Sequence, residues 1–138
     1  GTLASHAGWL RPGGVMVHEY QPFHAAHSPV VGRPLRVPWG HVRLDAEDLE
    51  RLLREHHPDA AATVLRELAN HPSRATQSQV RDAVIAAGLV IDAWLPWVST
   101  EDVLRLTPEI LAQCRRRFPG LHADDLVGRV IRFTAHRP

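Results

Sequence analysis

A turn that stops a helix and is followed at once by an apolar strand constrains this chain more than any other feature. Residues 3–10 carry apolar side chains at helical spacing. An Arg-Pro-Gly-Gly turn at 11–14 ends that helix, because proline cannot continue it and glycine permits positive φ. Residues 15–20 begin apolar and end in His18, Glu19 and Tyr20, which indicates a buried strand with a polar carboxyl end. Helix, turn and strand in this order predict an α/β fold.

A long loop is predicted next, over residues 21–40, because four prolines there exclude a helix or an interior strand. Long segments without regular structure are uncommon inside a compact domain and are usually functional. Aromatic and imidazole side chains are concentrated in this loop or just after it: Phe23, His24, His27, Trp39 and His41.

Capping signals predict the helices that follow the loop. Asp45 is an N-cap for a helix that ends near residue 55, and an alanine-rich helix spans about 59–68. The sequence Thr76-Gln-Ser-Gln is a capping box for a third helix, which Gly88 ends.

The last third of the chain is predicted to add two strands. Residues 89–94 are apolar, and residues 130–136 alternate between two unequal faces. Between them, Thr107-Pro-Glu starts a helix, with short helical turns on either side. We therefore expect a single domain, 1–138, with a helix-turn-strand start (1–20), a loop and helical cap (21–72) and C-terminal helices and strands (73–138).

The composition excludes several classes of protein. A formal net charge of +1 is too small to indicate a nucleic-acid groove or an anionic membrane surface, so we expect neither partner. The single cysteine, Cys114, excludes an intramolecular disulfide, and we expect it to be a buried apolar residue. Without an apolar run of about 18 residues the chain is expected to be cytoplasmic.

Candidate functional residues lie at the end of the first strand and in the loop. Ligands bind at the carboxyl ends of strands in open α/β sheets, which favours His18, Glu19 and Tyr20. Three imidazoles, His24, His27 and His41, could hold zinc, but Pro22 and Pro29 argue against the helix that this spacing would need. A neutral imidazole that takes a proton from a hydroxyl group is the functional role that we favour, and a structural role for these histidines stays open.

An ordered series of motifs resembles one known family over nearly the whole chain. Leu10-Arg-Pro-Gly-Gly before a short apolar strand resembles the turn that precedes the fifth strand of class I S-adenosylmethionine-dependent methyltransferases. The series continues with Val17-His-Glu-Tyr-Gln-Pro, His24-Ala-Ala-His, Pro38-Trp-Gly-His, Asn70 before the Thr76 box, Thr107-Pro-Glu-Ile and Phe118-Pro-Gly-Leu-His-Ala-Asp-Asp-Leu.

The resemblance implies the C-terminal half of a Rossmann-like sheet, strands five to seven, with a helical cap inserted after strand five. It implies transfer of a methyl group from S-adenosylmethionine to the hydroxyl or amine of a small molecule. The candidate bases or orienting groups are then His18, His24, His27 and His41. The candidate lining of the acceptor pocket is Glu19, Tyr20, Phe23 and Trp39.

The family binds its cofactor through a Gly-rich turn after the first strand and an acidic residue after the second. No Gly-x-Gly occurs in this sequence. We therefore expect S-adenosylmethionine to be bound mainly by residues outside this chain, and the chain by itself to be inactive. Two alternatives stay open: a non-catalytic module that binds a metal or a partner through its histidines, and the complementing subunit of a split methyltransferase.

The same resemblance predicts an incomplete sheet. In the family, strand five lies between strand four and the antiparallel strand seven, so residues 15–17 would have one unpaired edge. Unpaired apolar edges and uncovered sheet faces recruit other strands. We expect the chain to be ordered only with a partner: its N-terminal half, a second copy or a swapped strand.

Overall fold

The computed structural model describes residues 2–26 and 37–138, with side chains from Ser5 onward. The fold is mixed α/β, with one small antiparallel sheet and several short helices. The described strands are β1 (Val15–Tyr20), β2 (Val90–Val98) and β3 (Gly128–His136). The described helices are α1 (Thr2–Trp9), α2 (Gly40–Arg43), α3 (Ala46–His56), α4 (Pro58–Ala69), α5 (Gln77–Ala86), α6 (Thr100–Arg105), α7 (Pro108–Arg117) and α8 (Ala123–Val127).

The sheet has the order β1-β3-β2, with β3 antiparallel to both neighbours. β1 therefore pairs on one side only among the described strands, as predicted for residues 15–17. Whether the chain needs a partner to be ordered stays a prediction.

One face of the sheet is packed and the other is open. On the packed face, Met16, Phe133 and Ala135 form a buried cluster with α1 and α5, through Ala7 and Val84. On the open face, Val17 and Trp97 are 68% and 60% exposed. Strand alternation accounts for both faces, because successive side chains point to opposite sides.

The capping signals are confirmed. Asp45 accepts a hydrogen bond from the amide of Asp48, Thr76 and Gln79 form the capping box, and Thr107 accepts from the amide of Ile110. Gly88 has φ 78°, the left-handed conformation expected at the end of α5. Cys114 is fully buried, and burial raises the pKa of its thiol to about 11.

Several boundaries differ from the prediction by one or more residues; β3, for example, begins at Gly128 and not at residue 130. The second strand extends to Val98 through Pro96, because β2 is an edge strand and an edge position tolerates the missing amide of proline. The predicted loop ends earlier, because Gly40 begins the one-turn helix α2. Trp39 caps α2 in the left-handed conformation, which is rare for a bulky residue.

The helical cap has its own core. Phe23 packs with Leu49, Leu53, Ala61 and Leu68, so the segment after β1 is attached to α3 and α4. No described helix is both long enough and apolar enough to cross a membrane.

Candidate functional site

A cavity of about 450 Å³ opens at the carboxyl end of β1. Its walls come from three segments: the end of β1 with the residues that follow it, the connection between α4 and α5, and the first turn of α5. We call it the β1 cavity; its lining residues are Glu19, Tyr20, Gln21, Pro22, Phe23, His71, Pro72, Ser73, Ala75 and Val80.

Three of the four residues predicted to line an acceptor pocket lie on this cavity: Glu19, Tyr20 and Phe23. The fourth, Trp39, lies elsewhere, in a buried cluster with Cys114. Its indole nitrogen donates a hydrogen bond of 2.9 Å to the carbonyl oxygen of Leu126. Trp39 therefore anchors the turn that leads into α2 and does not line the described cavity.

Glu19 and Tyr20 bring two different groups to the cavity. The Glu19 carboxylate forms an ion pair with Arg132 of β3, with a shortest contact of 2.6 Å. The Tyr20 hydroxyl is buried without a hydrogen-bond partner among the described residues. Burial first, and then the nearby Asp125 carboxylate, raise the pKa of Tyr20 well above its usual value, so this phenol stays neutral.

The imidazoles of His24, His41 and His71 surround the ring of Phe23. Their ring centroids lie 5.1, 5.6 and 5.1 Å from that of Phe23. The guanidinium carbon of Arg74 lies 5.0 Å from the same centroid. The wall of the β1 cavity is therefore backed by a cluster of imidazoles.

His24 is 1% exposed, and neither of its ring nitrogens has a hydrogen-bond partner among the described residues. Its ring packs between Phe23 and Phe118, whose centroid is 4.9 Å away. Burial first, and then the charges of His41, Arg74 and His71, lower the pKa of His24 to about 4. His24 is therefore a neutral imidazole at physiological pH.

His41 is 3% exposed, on α2. Its Nε2 lies 2.9 Å from the carbonyl oxygen of Phe23, and because a carbonyl can only accept, Nε2 carries the proton. Burial lowers the pKa of His41 to about 4, against the opposing effect of this hydrogen bond. His41 thus holds the backbone at Phe23, a residue of the cavity wall.

Of the two remaining predicted histidines, only His18 is among the described residues, and it lies apart from this cluster. His18 is on the packed face of β1, where its ring lies 5.4 Å from that of Phe133 and does not line the cavity. Burial and the neighbouring His6 lower the pKa of His18. His27 lies outside the described residues.

His71 belongs to the cavity and was not predicted from the sequence. It stands between Asn70 and Pro72, where the pattern shows only the end of a helix. The one available signal is its place in a short connection that leads to a capping box, which does not by itself indicate a ligand.

No group of three or more histidine, cysteine or acidic side chains among the described residues is arranged to hold a metal ion. Comparison with models of protein families, with curated proteins and with solved structures finds no match to this chain.

Proposed function

We propose that this chain forms the acceptor side of a class I methyltransferase, which moves a methyl group from S-adenosylmethionine to a small-molecule hydroxyl or amine. The observation that carries the proposal is the β1 cavity. It lies at the carboxyl end of the strand that follows the Pro-Gly-Gly turn, and Glu19, Tyr20 and Phe23 line it together.

The sheet supports the same proposal. The resemblance implies that strand five pairs with an antiparallel strand seven, and β1 pairs with the antiparallel β3. The resemblance also implies a helical cap after strand five, and α2, α3 and α4 follow β1 in the chain.

The described residues do not fit the methyl donor. The three strands are followed by Gln21, Ser99 and Arg137, and none leads into a Gly-rich turn. We therefore assign no cofactor contact to this chain and derive no step for the donor. In the proposal, the methyl donor is held by residues that do not belong to this 138-residue chain.

The role of the described residues is to bind and orient the acceptor and to exclude water from it. The apolar walls at Tyr20, Phe23 and Val80 give a dry surface for an apolar ligand. Alignment of two reactants is the main contribution that a protein makes to a transfer of this type.

Calorimetric titration with S-adenosylhomocysteine tests the proposal. The product of the complete reading frame that contains these residues is expected to bind it, and the 138-residue chain by itself is not. No binding by the complete product would contradict the proposal.

The unpaired edge of β1 favours a second candidate, a complementing subunit that pairs with another chain. Val15 and Val17 are exposed beside that edge. Light scattering at micromolar concentration tests it: association of the purified chain with itself or with an added N-terminal half is expected, and a well-folded monomer would contradict it.

A further inference from the structure

The β1 cavity is lined by His71, whose Nδ1 makes hydrogen-bond contacts that indicate the tautomer of its imidazole. Nδ1 of His71 lies 2.6 Å from the carbonyl oxygen of Ser73. The amide nitrogen of Ser73 lies 3.3 Å from the same Nδ1. The shorter contact is with an oxygen that can only accept, so the proton is on Nδ1.

In a neutral imidazole, a proton on Nδ1 leaves Nε2 with a lone pair. The hydrogen-bond contacts of His71 are made by Nδ1, and Nε2 has no partner among the described residues. A hydrogen bond from Nδ1–H to a carbonyl is the usual device that holds a histidine in the tautomer that accepts at Nε2. His71 therefore offers an acceptor for an O–H or N–H group.

The walls of the cavity favour an aromatic ligand without charge. Tyr20, Pro22, Phe23, Pro72 and Val80 give apolar surface, which penalises an uncompensated charge. The Glu19 carboxylate is paired with Arg132 and so does not provide a free counter-ion for an ammonium group. A volume of about 450 Å³ is in the range of sites that take small organic molecules.

We infer that the β1 cavity binds a neutral aromatic hydroxyl compound, a phenol, whose O–H donates to Nε2 of His71 while its ring packs on the Phe23 side of the cavity. This inference rests on the proposed function, since it names the class of methyl acceptor. Nε2 would then take the O–H proton as the phenol oxygen forms its bond to the methyl group, and the donor would leave as S-adenosylhomocysteine.

Binding of phenol and of anisole, measured by calorimetry without any methyl donor, tests the inference. Anisole carries a methyl group in place of the hydroxyl proton of phenol, so it cannot donate a hydrogen bond from its oxygen. The complete gene product is expected to bind phenol about fivefold more tightly than anisole, because one net hydrogen bond is worth about 1 kcal/mol.

The variant His71→Asn separates the two ring nitrogens. Its side-chain amide can still donate towards Ser73 from the position of Nδ1, but it has no group at the position of Nε2. We expect the preference for phenol over anisole to fall about fivefold, while anisole binding is unchanged. His71→Gln, which places an oxygen near the position of Nε2, is expected to restore part of the preference.

His56→Asn is the matched control, because His56 lies at the end of α3 and does not line the cavity. Equal binding of phenol and anisole by the unmodified protein would overturn the inference, as would a preference that survives in a folded His71→Asn protein. Aniline in place of phenol identifies the alternative: tighter binding of aniline would overturn the assignment of a hydroxyl ligand.

The two proposals fail separately. Loss of the phenol preference speaks against the acceptor site described here, and the titration with S-adenosylhomocysteine reports on the methyl donor alone. Circular dichroism of each variant shows whether it is folded. If the His71→Asn protein is not folded, the phenol preference of the His71→Gln protein provides a second test.

Discussion

Two regions of the molecule bury polar side chains in opposite ways. One region is the junction of α5, α6, α8 and β3, where buried Asp102 forms an ion pair with Arg129. In the same junction, buried Asp125 accepts a hydrogen bond of 2.7 Å from the backbone amide of Gln77. Around Phe23, by contrast, His24 is buried and neither of its ring nitrogens has a hydrogen-bond partner among the described residues.

The difference separates a structural framework from a site. A buried polar group without a partner costs stability, so folds satisfy such groups except where another requirement prevails. The junction satisfies its carboxylates and holds the sheet against the helices. Around the β1 cavity, an imidazole and a phenol group are buried without a partner in the part of the chain that the structure describes, and such groups need an explanation other than stability.

The largest expected effect is at the junction. Asp102→Asn should lower the free energy of unfolding by about 3 kcal/mol or more, because Arg129 loses the charge that compensates it in a mostly buried position. Urea unfolding measures this loss. Glu101→Gln is the control: Glu101 pairs with Arg105 on the surface, and its loss should cost about 0.5 kcal/mol or less. Similar losses for both variants would contradict the comparison.

The next effect is a pH dependence of the free energy of unfolding, which the buried imidazoles of His24 and His41 cause. Both pKa values, of His24 and of His41, are about 4 in the folded protein and near 6.5 when unfolded. Between these values the unfolded chain binds more protons at these two residues, so their contribution to stability falls as the pH drops through 6.5 towards 4 and is fully present above about pH 7.

Each imidazole should contribute about 1 to 2 kcal/mol of this loss between pH 7.5 and pH 5, measured by urea unfolding at the two values. The charges that face the pair are those of Arg74, Arg117 and His71. A stability that is the same at both pH values would show that the imidazoles are solvated in solution.

Replacing the unpaired imidazole should have a smaller effect of opposite sign. His24→Met should raise the free energy of unfolding by about 1 kcal/mol, because an apolar side chain removes from the interior two nitrogens that have no partner among the described residues. His41→Met is the control, and it should lose about 1 kcal/mol, because the carbonyl of Phe23 loses its donor. A loss in both variants would mean that His24 has a partner in solution.

The smallest expected effect concerns Tyr20. Tyr20→Phe should change the free energy of unfolding by less than about 1 kcal/mol, as a gain if anything, because its buried hydroxyl has no partner among the described residues. Trp94→Phe should instead lose about 1 kcal/mol, because the indole N–H donates to Gln77 at 3.0 Å. Thermal unfolding of the two variants side by side gives the comparison, and a destabilised Tyr20→Phe protein would contradict it.

The sequence by itself determined the local structure. Asp45, Thr76 and Thr107 begin helices because a side-chain oxygen satisfies a backbone amide a few residues away. Gly88 ends α5 because glycine accepts positive φ. These interactions join residues that are close in the chain, so the pattern carries all the information that they need.

Only the tertiary structure decided which segments meet. β1 pairs with β3, which is more than a hundred residues further along the chain, and this pairing joins Glu19 to Arg132. The cavity brings the end of β1 against residues 71–75, and packing of Phe23 on α3 and α4 makes that contact. His71 lines the cavity and Trp39 lies in the core, and neither position follows from the local sequence. Burial and pairing between distant segments depend on the complementarity of whole surfaces, which a local sequence pattern does not contain.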